Sequence, residues 1–214
     1  VLISAGGTRE SIDPIRFIGN RASGKQGVAL AISALSRGAK VTLVGANLSV
    51  PIPAGVEFIS ANSTHEMSEV MQLRAASNDV VIMNAAVADY YVKNPTDKKI
   101  KKNTNQLNLV LEETEDILST LGKIRTNKQY LVGFAAETVS NSDELISMAM
   151  EKLTRKNVDL IVANSVSEHQ GIGTDDNQAI LVTHKTTINL PKSDKLTLAD
   201  GIWDFIVKDL AKVA

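Results

Sequence analysis

The chain has 214 residues, enough for one domain with a substantial buried core, and basic and acidic side chains nearly cancel to a net charge of −1. That balance argues against a nucleic-acid or anionic membrane surface, and no apolar run approaches the roughly 18 residues that cross a bilayer. Cysteine is absent, which removes disulfides, thiol nucleophiles and zinc–thiolate sites, while His65, His169 and His184 are too far apart to make a ligand set. No basic, apolar leader is present, so a soluble, cytoplasmic protein is expected. The chain opens at Val1 inside a strand pattern, so it is expected to be part of a longer one.

Strand-length apolar runs alternate with helical periodicity, the pattern of an α/β layered fold. A first strand is expected over residues 1–5, followed by Gly6-Gly7-Thr8, where the backbone bends sharply or approaches a ligand closely. A loop containing Asp13-Pro14 leads to Asn20. A helix is predicted from Ser23-Gly24, with Val28, Ala31, Ile32 and Leu35 on one face and Gly38 as its stop. Strands follow at residues 40–44 and 55–59, with Pro51 and Pro53 in the connection between them. Ser63 and Glu66 have the spacing of a capping box before Met67, Val70 and Met71. Residues 80–85 read as a strand covered on both faces.

After residue 89 the period breaks. Residues 90–112 combine Asn, Pro, Thr and Lys with alternating Leu107, Leu109 and Leu111, which predicts a two-stranded arm or flap rather than a crossover helix. Such an arm covers a site or pairs with another subunit. A short helix is expected at residues 114–121, with Glu115 and Asp116 in its first turn, then a strand at 130–135. The helix predicted at 143–157 places Ile146, Ala149, Met150 and Leu153 inward and brings Lys152 and Lys156 together on its flank, as a site pair or as ordinary exposed lysines. A strand at 160–163, a loop at 171–177, a hairpin of 178–182 with 186–190, and a final helix from Thr197 complete the pattern. Ile202, Phe205 and Ile206 face inward on that helix. With no repeat or linker, residues 1–214 are expected to form a single domain with an inserted flap.

Chemistry is expected at the end of the 80–85 strand, because ligands of parallel sheets bind beyond the carboxyl ends of strands. A lone carboxylate, Asp89, stands there, and Lys98, Lys99, Lys101 and Lys102 follow in a polar segment. A carboxylate accepts from an exocyclic amine and ammonium groups suit phosphates, so the pairing fits an anionic ligand that carries an amino group. A solvated lysine-rich loop is the alternative. Hydride transfer is poorly supported: the Gly-x-Gly-x-x-Gly fingerprint is missing after the first strand, and Tyr90 and Tyr91 are followed four residues on by Asn94 and Pro95, not Lys. Ser23-Gly24-Lys25 is not a phosphate loop of the Walker type, yet a glycine-led helix start with a lysine suits an anion.

The blocks Ala5-Gly6-Gly7-Thr8-Arg9-Glu10 with Ile12-Asp13-Pro14-Ile15-Arg16, Gly19-Asn20-Arg21-Ala22-Ser23-Gly24-Lys25, Ala85-Ala86-Val87-Ala88-Asp89-Tyr90, Lys99-Ile100-Lys101-Lys102, Gly133-Phe134-Ala135-Ala136-Glu137-Thr138 and Lys156-Asn157-Val158-Asp159-Leu160-Ile161-Val162-Ala163-Asn164 closely resemble bacterial phosphopantothenoylcysteine synthetase. They run in order through most of the chain. The resemblance implies a Rossmann-like parallel sheet with flanking helices, a homodimer, and often fusion to a flavin-dependent phosphopantothenoylcysteine decarboxylase.

It also implies a reaction. The carboxylate of 4′-phosphopantothenate attacks the α-phosphate of CTP, giving an acyl-cytidylate and pyrophosphate, and the amine of cysteine then displaces CMP; Mg²⁺ comes with the triphosphate. Carried over by position, Asn20 holds the acyl-cytidylate and Lys99 is the flap lysine needed for catalysis. CTP binding falls to Asn84, Ala85, Asp89, Lys99, Thr114, Glu115, Asp116, Ile117, Phe134, Lys152 and Lys156, and phosphate or substrate contacts to Gly7, Ser23, Gly24 and Lys25. Gly7 replaces a proline of some members, and Arg21-Ala22 stands where others have His-Ser or Arg-Ser. Thr114-Glu115-Asp116-Ile117 stands where members have Asn-Pro-Asp-Ile, so the proline of that turn is replaced. A nucleotide-binding module without turnover is the rival from another class, disfavoured because both Asn20 and Lys99 are present; an NAD(P)-dependent reductase is the other. Asp89 excludes uracil and guanine more firmly than adenine, which leaves the preference for CTP over ATP open.

Overall fold

A computed structural model describes residues 1–102, 106–139, 141–166 and 174–212. The elements in chain order are β1 (Leu2–Gly6), β2 (Arg9–Ser11), β3 (Phe17–Gly19), α1 (Lys25–Ser36), β4 (Thr42–Ala46), β5 (Glu57–Ser60), α2 (Thr64–Ala75) and β6 (Val80–Met83). They continue with β7 (Tyr90–Val92), β8 (Leu111–Glu113), α3 (Ile117–Ile124), β9 (Tyr130–Glu137), α4 (Ser142–Lys156), β10 (Leu160–Ser165), β11 (Asp176–Val182), β12 (Thr187–Asp194) and α5 (Lys195–Leu210). Among the described residues, an eight-stranded sheet has the order β5-β4-β1-β6-β9-β10-β11-β12. The six strands from β5 to β10 are parallel, and β11 and β12 add an antiparallel hairpin at one edge.

The order reverses between β1 and β6, the switch point of a doubly wound sheet, so the crevice beyond their carboxyl ends is where a ligand is expected. Successive strand residues point to opposite faces, and each face is covered. Ile3, Leu43, Ile82, Val132 and Val162 pack with α1 and α5; Leu2, Val44, Val81, Leu131 and Ile161 pack with α2, α3 and α4. Burial on both faces is why these strands read as continuous apolar runs.

The expected α/β layering and the two-stranded flap, β7 paired with β8, are both present. Several local expectations shift. Asp116 caps α3 by accepting from the Ser119 amide at 2.9 Å, so neither it nor Glu115 lies in the first turn of that helix. Asp194 accepts from the Leu196 and Thr197 amides at 2.9 and 3.0 Å, which starts α5 at Lys195 rather than Thr197. Ser63 caps α2, but the Glu66 carboxylate reaches back to the Asn62 amide at 2.7 Å, one residue beyond the expected box. Residues 9–19, read as a loop, contain the β2–β3 hairpin. Of the loop expected at 171–177, residues 171–173 lie outside the described residues, as does His169, and Asp176 and Asn177 already belong to β11.

The β2–β3 hairpin holds the flap. Asp13, at its tip, accepts from the Ile15 and Arg16 amides, from the Arg16 guanidinium and from the Ile100 amide, the last at 3.1 Å. Arg16 Nη2 in turn donates to the Ile100 carbonyl at 2.9 Å, and the Thr96 amide donates to that of Ile12 at 3.1 Å. The Arg16 guanidinium, helped by the backbone donors, holds the Asp13 carboxyl well below the usual carboxylate range.

Candidate active site

The segment between β6 and β7 is fixed by buried hydroxyls. Ser4 Oγ on β1 accepts from the Asn84 and Ala85 amides, each at 3.1 Å, and Thr8 Oγ1 accepts from the Ala88 amide at 2.8 Å. Thr114 closes the far end, its hydroxyl donating to the Ala88 carbonyl at 2.6 Å and its amide to that of Asp89 at 2.9 Å. Asn20 Nδ2 donates to the carbonyls of Ala86 and Val87 at 3.1 and 3.0 Å. Asp89 is thereby presented, exposed, at the rim of a cleft.

The cleft has two lobes sharing a wall of Ala85, Val87, Phe134 and Lys152. The first, about 610 Å³, contains Asp89, Thr114, Glu115, Asp116, Ile117 and Lys156. The second, about 400 Å³, lies over the start of α1 and contains Asn20, Ser23, Gly24, Lys25 and Asn84. Volumes of this order accept a small molecule or cofactor. The lobes differ in charge: the first mixes carboxylates with cations, whereas the second is lined by Arg21, Lys25, Lys152 and Lys195 with no carboxylate among its lining residues.

Lys152 pairs with Glu137 at 3.5 Å, and Lys156 pairs with Asp116. Burial pushes the Lys156 ammonium below its ordinary pKa, and the negative charge of Asp89 acts against that shift. Glu115 is engaged by Ser68, Gln72 and Thr120 at 2.5, 3.1 and 2.8 Å, ties α2 to α3, and is held at a lowered pKa chiefly by the Ser68 and Thr120 hydroxyls. The turn without proline is thus fixed by side chains.

Most of the expected residues converge on this cleft; two do not. Gly7 lines neither lobe, since its amide donates to the Ala46 carbonyl at 2.9 Å and its carbonyl accepts from Asn47, while Gly6 forms the wall instead. Lys99 is exposed on the flap and lines neither lobe. Sequence reasoning missed Asp13 and Arg16 as the flap's anchor, and it missed Gln26 and Lys195, which line the second lobe. The flap anchor was visible as a charged pair at a turn; Lys195 reaches the site only through the path of β11 and β12.

Over residues 1–210 the chain matches the family described as the DNA/pantothenate metabolism flavoprotein C-terminal domain. It is 42% identical, over 98% of its length, to the coenzyme A biosynthesis bifunctional protein CoaBC of Thermococcus kodakarensis, and 40% identical, over 96%, to that of Vibrio cholerae. The chain spans about half the length of these relatives, 51% of each. A crystal structure of the C-terminal domain of CoaBC is similar with a TM-score of 0.83 and 36% identity, covering 99% of this chain and 95% of that one. The chain therefore belongs to the DNA/pantothenate metabolism flavoprotein C-terminal domain family, the phosphopantothenoylcysteine synthetase domain of the CoaBC proteins, which is the family its sequence blocks resemble.

Proposed function

We propose that the chain is a CTP-dependent phosphopantothenate–cysteine ligase of coenzyme A biosynthesis. What carries this reading is the two-lobed cleft at the reversal of strand order, with Asp89 in one lobe and a cationic lining in the other. CTP occupies the first lobe with its 4-amino group on Asp89, and Lys152 and Lys156 face its phosphates. The acid lies toward Asn20 and the start of α1, its carboxylate directed at the α-phosphate across the shared wall.

The carboxylate oxygen attacks the α-phosphorus and the bond to pyrophosphate breaks. Lys99, carried on the flap, offsets the repulsion between the two anions and the charge building on pyrophosphate. Asn20 holds the acyl-cytidylate while the flap keeps water from the mixed anhydride. The cysteine nitrogen then attacks the acyl carbon, the bond to CMP breaks, and the nitrogen gives its proton to solvent. Mg²⁺ enters as part of the CTP complex, its ligands coming mostly from phosphates; among the described residues no three His, Asp or Glu side chains are grouped to hold a metal. The protein works as a cytoplasmic homodimer and is joined to a flavin-dependent decarboxylase domain; the joining is supported by relatives named as bifunctional, of which the chain spans 51%. No helix among the described residues is long and apolar enough to cross a membrane.

The test is mass spectrometry of a mixture of protein, Mg²⁺, CTP and phosphopantothenate. Acyl-cytidylate should accumulate, and adding cysteine should convert it to phosphopantothenoylcysteine and CMP. Amide formation with release of CDP and phosphate would instead indicate acyl-phosphate chemistry and overturn the mechanism.

A further inference from the structure

A buried carboxylate stands behind Asp89 and has no part in the reaction described above. Glu10, the middle residue of β2, is 7% exposed. Its Oε1 accepts from the Thr64 amide and from Thr64 Oγ1, each at 2.8 Å. Thr64 is the first residue of α2, where the Ser63 side chain caps the amide of Glu66 and leaves that of Thr64 to be met from outside the helix. An acidic group at this end also complements the helix dipole. A carboxylate is tolerated inside where hydrogen bonds meet it, and Thr64 supplies two.

The contacts continue from Thr64 to the segment that carries Asp89. Thr64 Oγ1 lies 3.2 Å from Thr8 Oγ1, which accepts from the Ala88 amide at 2.8 Å. Glu10 sets the direction of this chain. A carboxylate only accepts, so the Thr64 hydroxyl gives its proton to Glu10. The Ala88 carbonyl competes for that proton from 3.4 Å, but it already accepts from the Thr114 hydroxyl at 2.6 Å. Thr64 Oγ1 is then free to accept from the Thr8 hydroxyl, whose oxygen accepts from Ala88. Each hydroxyl donates once along the chain. Thr8 and Thr64 are both buried, and hydrogen bonds linked in this way away from water polarise and strengthen one another. Ala88 immediately precedes Asp89, and the two ends of its backbone are held by this chain and by Thr114.

We propose that Glu10 is a positioning residue for base selection: through Thr64 and Thr8 it fixes the Ala88 amide, and with it the direction in which Asp89 presents its carboxylate. The inference rests on the reading of Asp89 as the acceptor of the cytosine amine. Asn20 holds the earlier part of the same segment, at the Ala86 and Val87 carbonyls, so loss of the chain disturbs the nucleotide base and spares the acid.

The experiment measures kcat/KM for CTP and for UTP, and KM for phosphopantothenate, by pyrophosphate release in the wild type, Thr64→Val, Thr64→Ser and Glu10→Gln. Valine keeps the shape of threonine and removes the hydroxyl, whereas serine keeps the hydroxyl. Glutamine keeps an acceptor and removes the charge, a milder change that keeps the test alive if Thr64→Val folds poorly. Loss of one buried hydrogen bond predicts that Thr64→Val lowers the ratio of CTP to UTP efficiency about fivefold, with KM for phosphopantothenate within about twofold. Glu10→Gln should fall between it and the wild type, and Thr64→Ser should stay close to the wild type. A lower melting temperature with the ratio unchanged in both Thr64→Val and Glu10→Gln would make the chain merely structural and overturn the proposal. A wild type that uses CTP and UTP alike, or neither, would sink the reading of Asp89 instead. Amide hydrogen exchange by NMR then decides the positioning alone: faster exchange at Ala88 in Thr64→Val, with Val81 and Ile82 unchanged, supports it, and equal exchange at Ala88 overturns it.

Discussion

In the proposed reaction, base selection turns on Asp89. Its carboxylate accepts from an amine and repels a carbonyl, whereas an amide rotates to serve either, so Asp89→Asn should erode the preference for CTP over UTP by about 1–3 kcal/mol while leaving the fold intact. Initial rates with the two triphosphates check this, and an unchanged ratio would remove Asp89 from base reading. Asp13 acts at a distance, by holding the flap at Ile100. Its folded pKa lies below that of the unfolded chain, so its contribution is fully present above about pH 4 and is lost as pH falls through that value toward the folded one. Melting temperatures of wild type and Asp13→Asn should therefore differ most at pH 7, and the gap should begin to narrow only as pH falls below about 4; a gap independent of pH would contradict the assignment. Asp89 was legible from its place at a strand end, and helical spacing brought Lys152 and Lys156 together, whereas Phe134 and the nucleotide role of the two lysines were legible only through the family resemblance. Lys195 and Gln26 were not, since their meeting depends on how α5 lies against α1.

At the scale of elements, α1 reaches the site because it lies close on β1. A Cβ on Gly27 would stand 2.4 Å from the Ala5 Cβ and 2.9 Å from Asn84 Oδ1, so glycine is what allows the helix start to approach the strand ends. Gly27→Ala should cost about 1–3 kcal/mol in denaturant unfolding, as overpacking does, and Ala5→Gly in the same chain should recover part of it. Full stability of the single variant would mean that the helix sits farther out. Element types were legible from periodicity, and boundaries moved where a side chain outside the periodic run sets the end: Asp116 for α3 and Asp194 for α5. The β2–β3 hairpin was illegible for a different reason. Its strands have three residues each, and the one buried position among them is the charged Glu10, so no apolar alternation marks them.

Taken as a whole, the molecule leaves apolar side chains exposed on the flap and on the β2–β3 hairpin: Leu107, Val110 and Leu111 are 51%, 65% and 42% exposed, and Ile15 and Phe17 are exposed as well. A two-stranded arm is marginal alone, so this face should be covered by a second copy. Sedimentation at micromolar concentration should give a dimer, and Leu111→Lys with Val110→Lys should shift it to monomer; a wild-type monomer would contradict the assembly. The chemistry of the cleft is read by pyrophosphate release from each of the four nucleoside triphosphates, with and without phosphopantothenate. Release should require phosphopantothenate and be fastest with CTP. Release that ignores phosphopantothenate, or none with any triphosphate, would contradict the account.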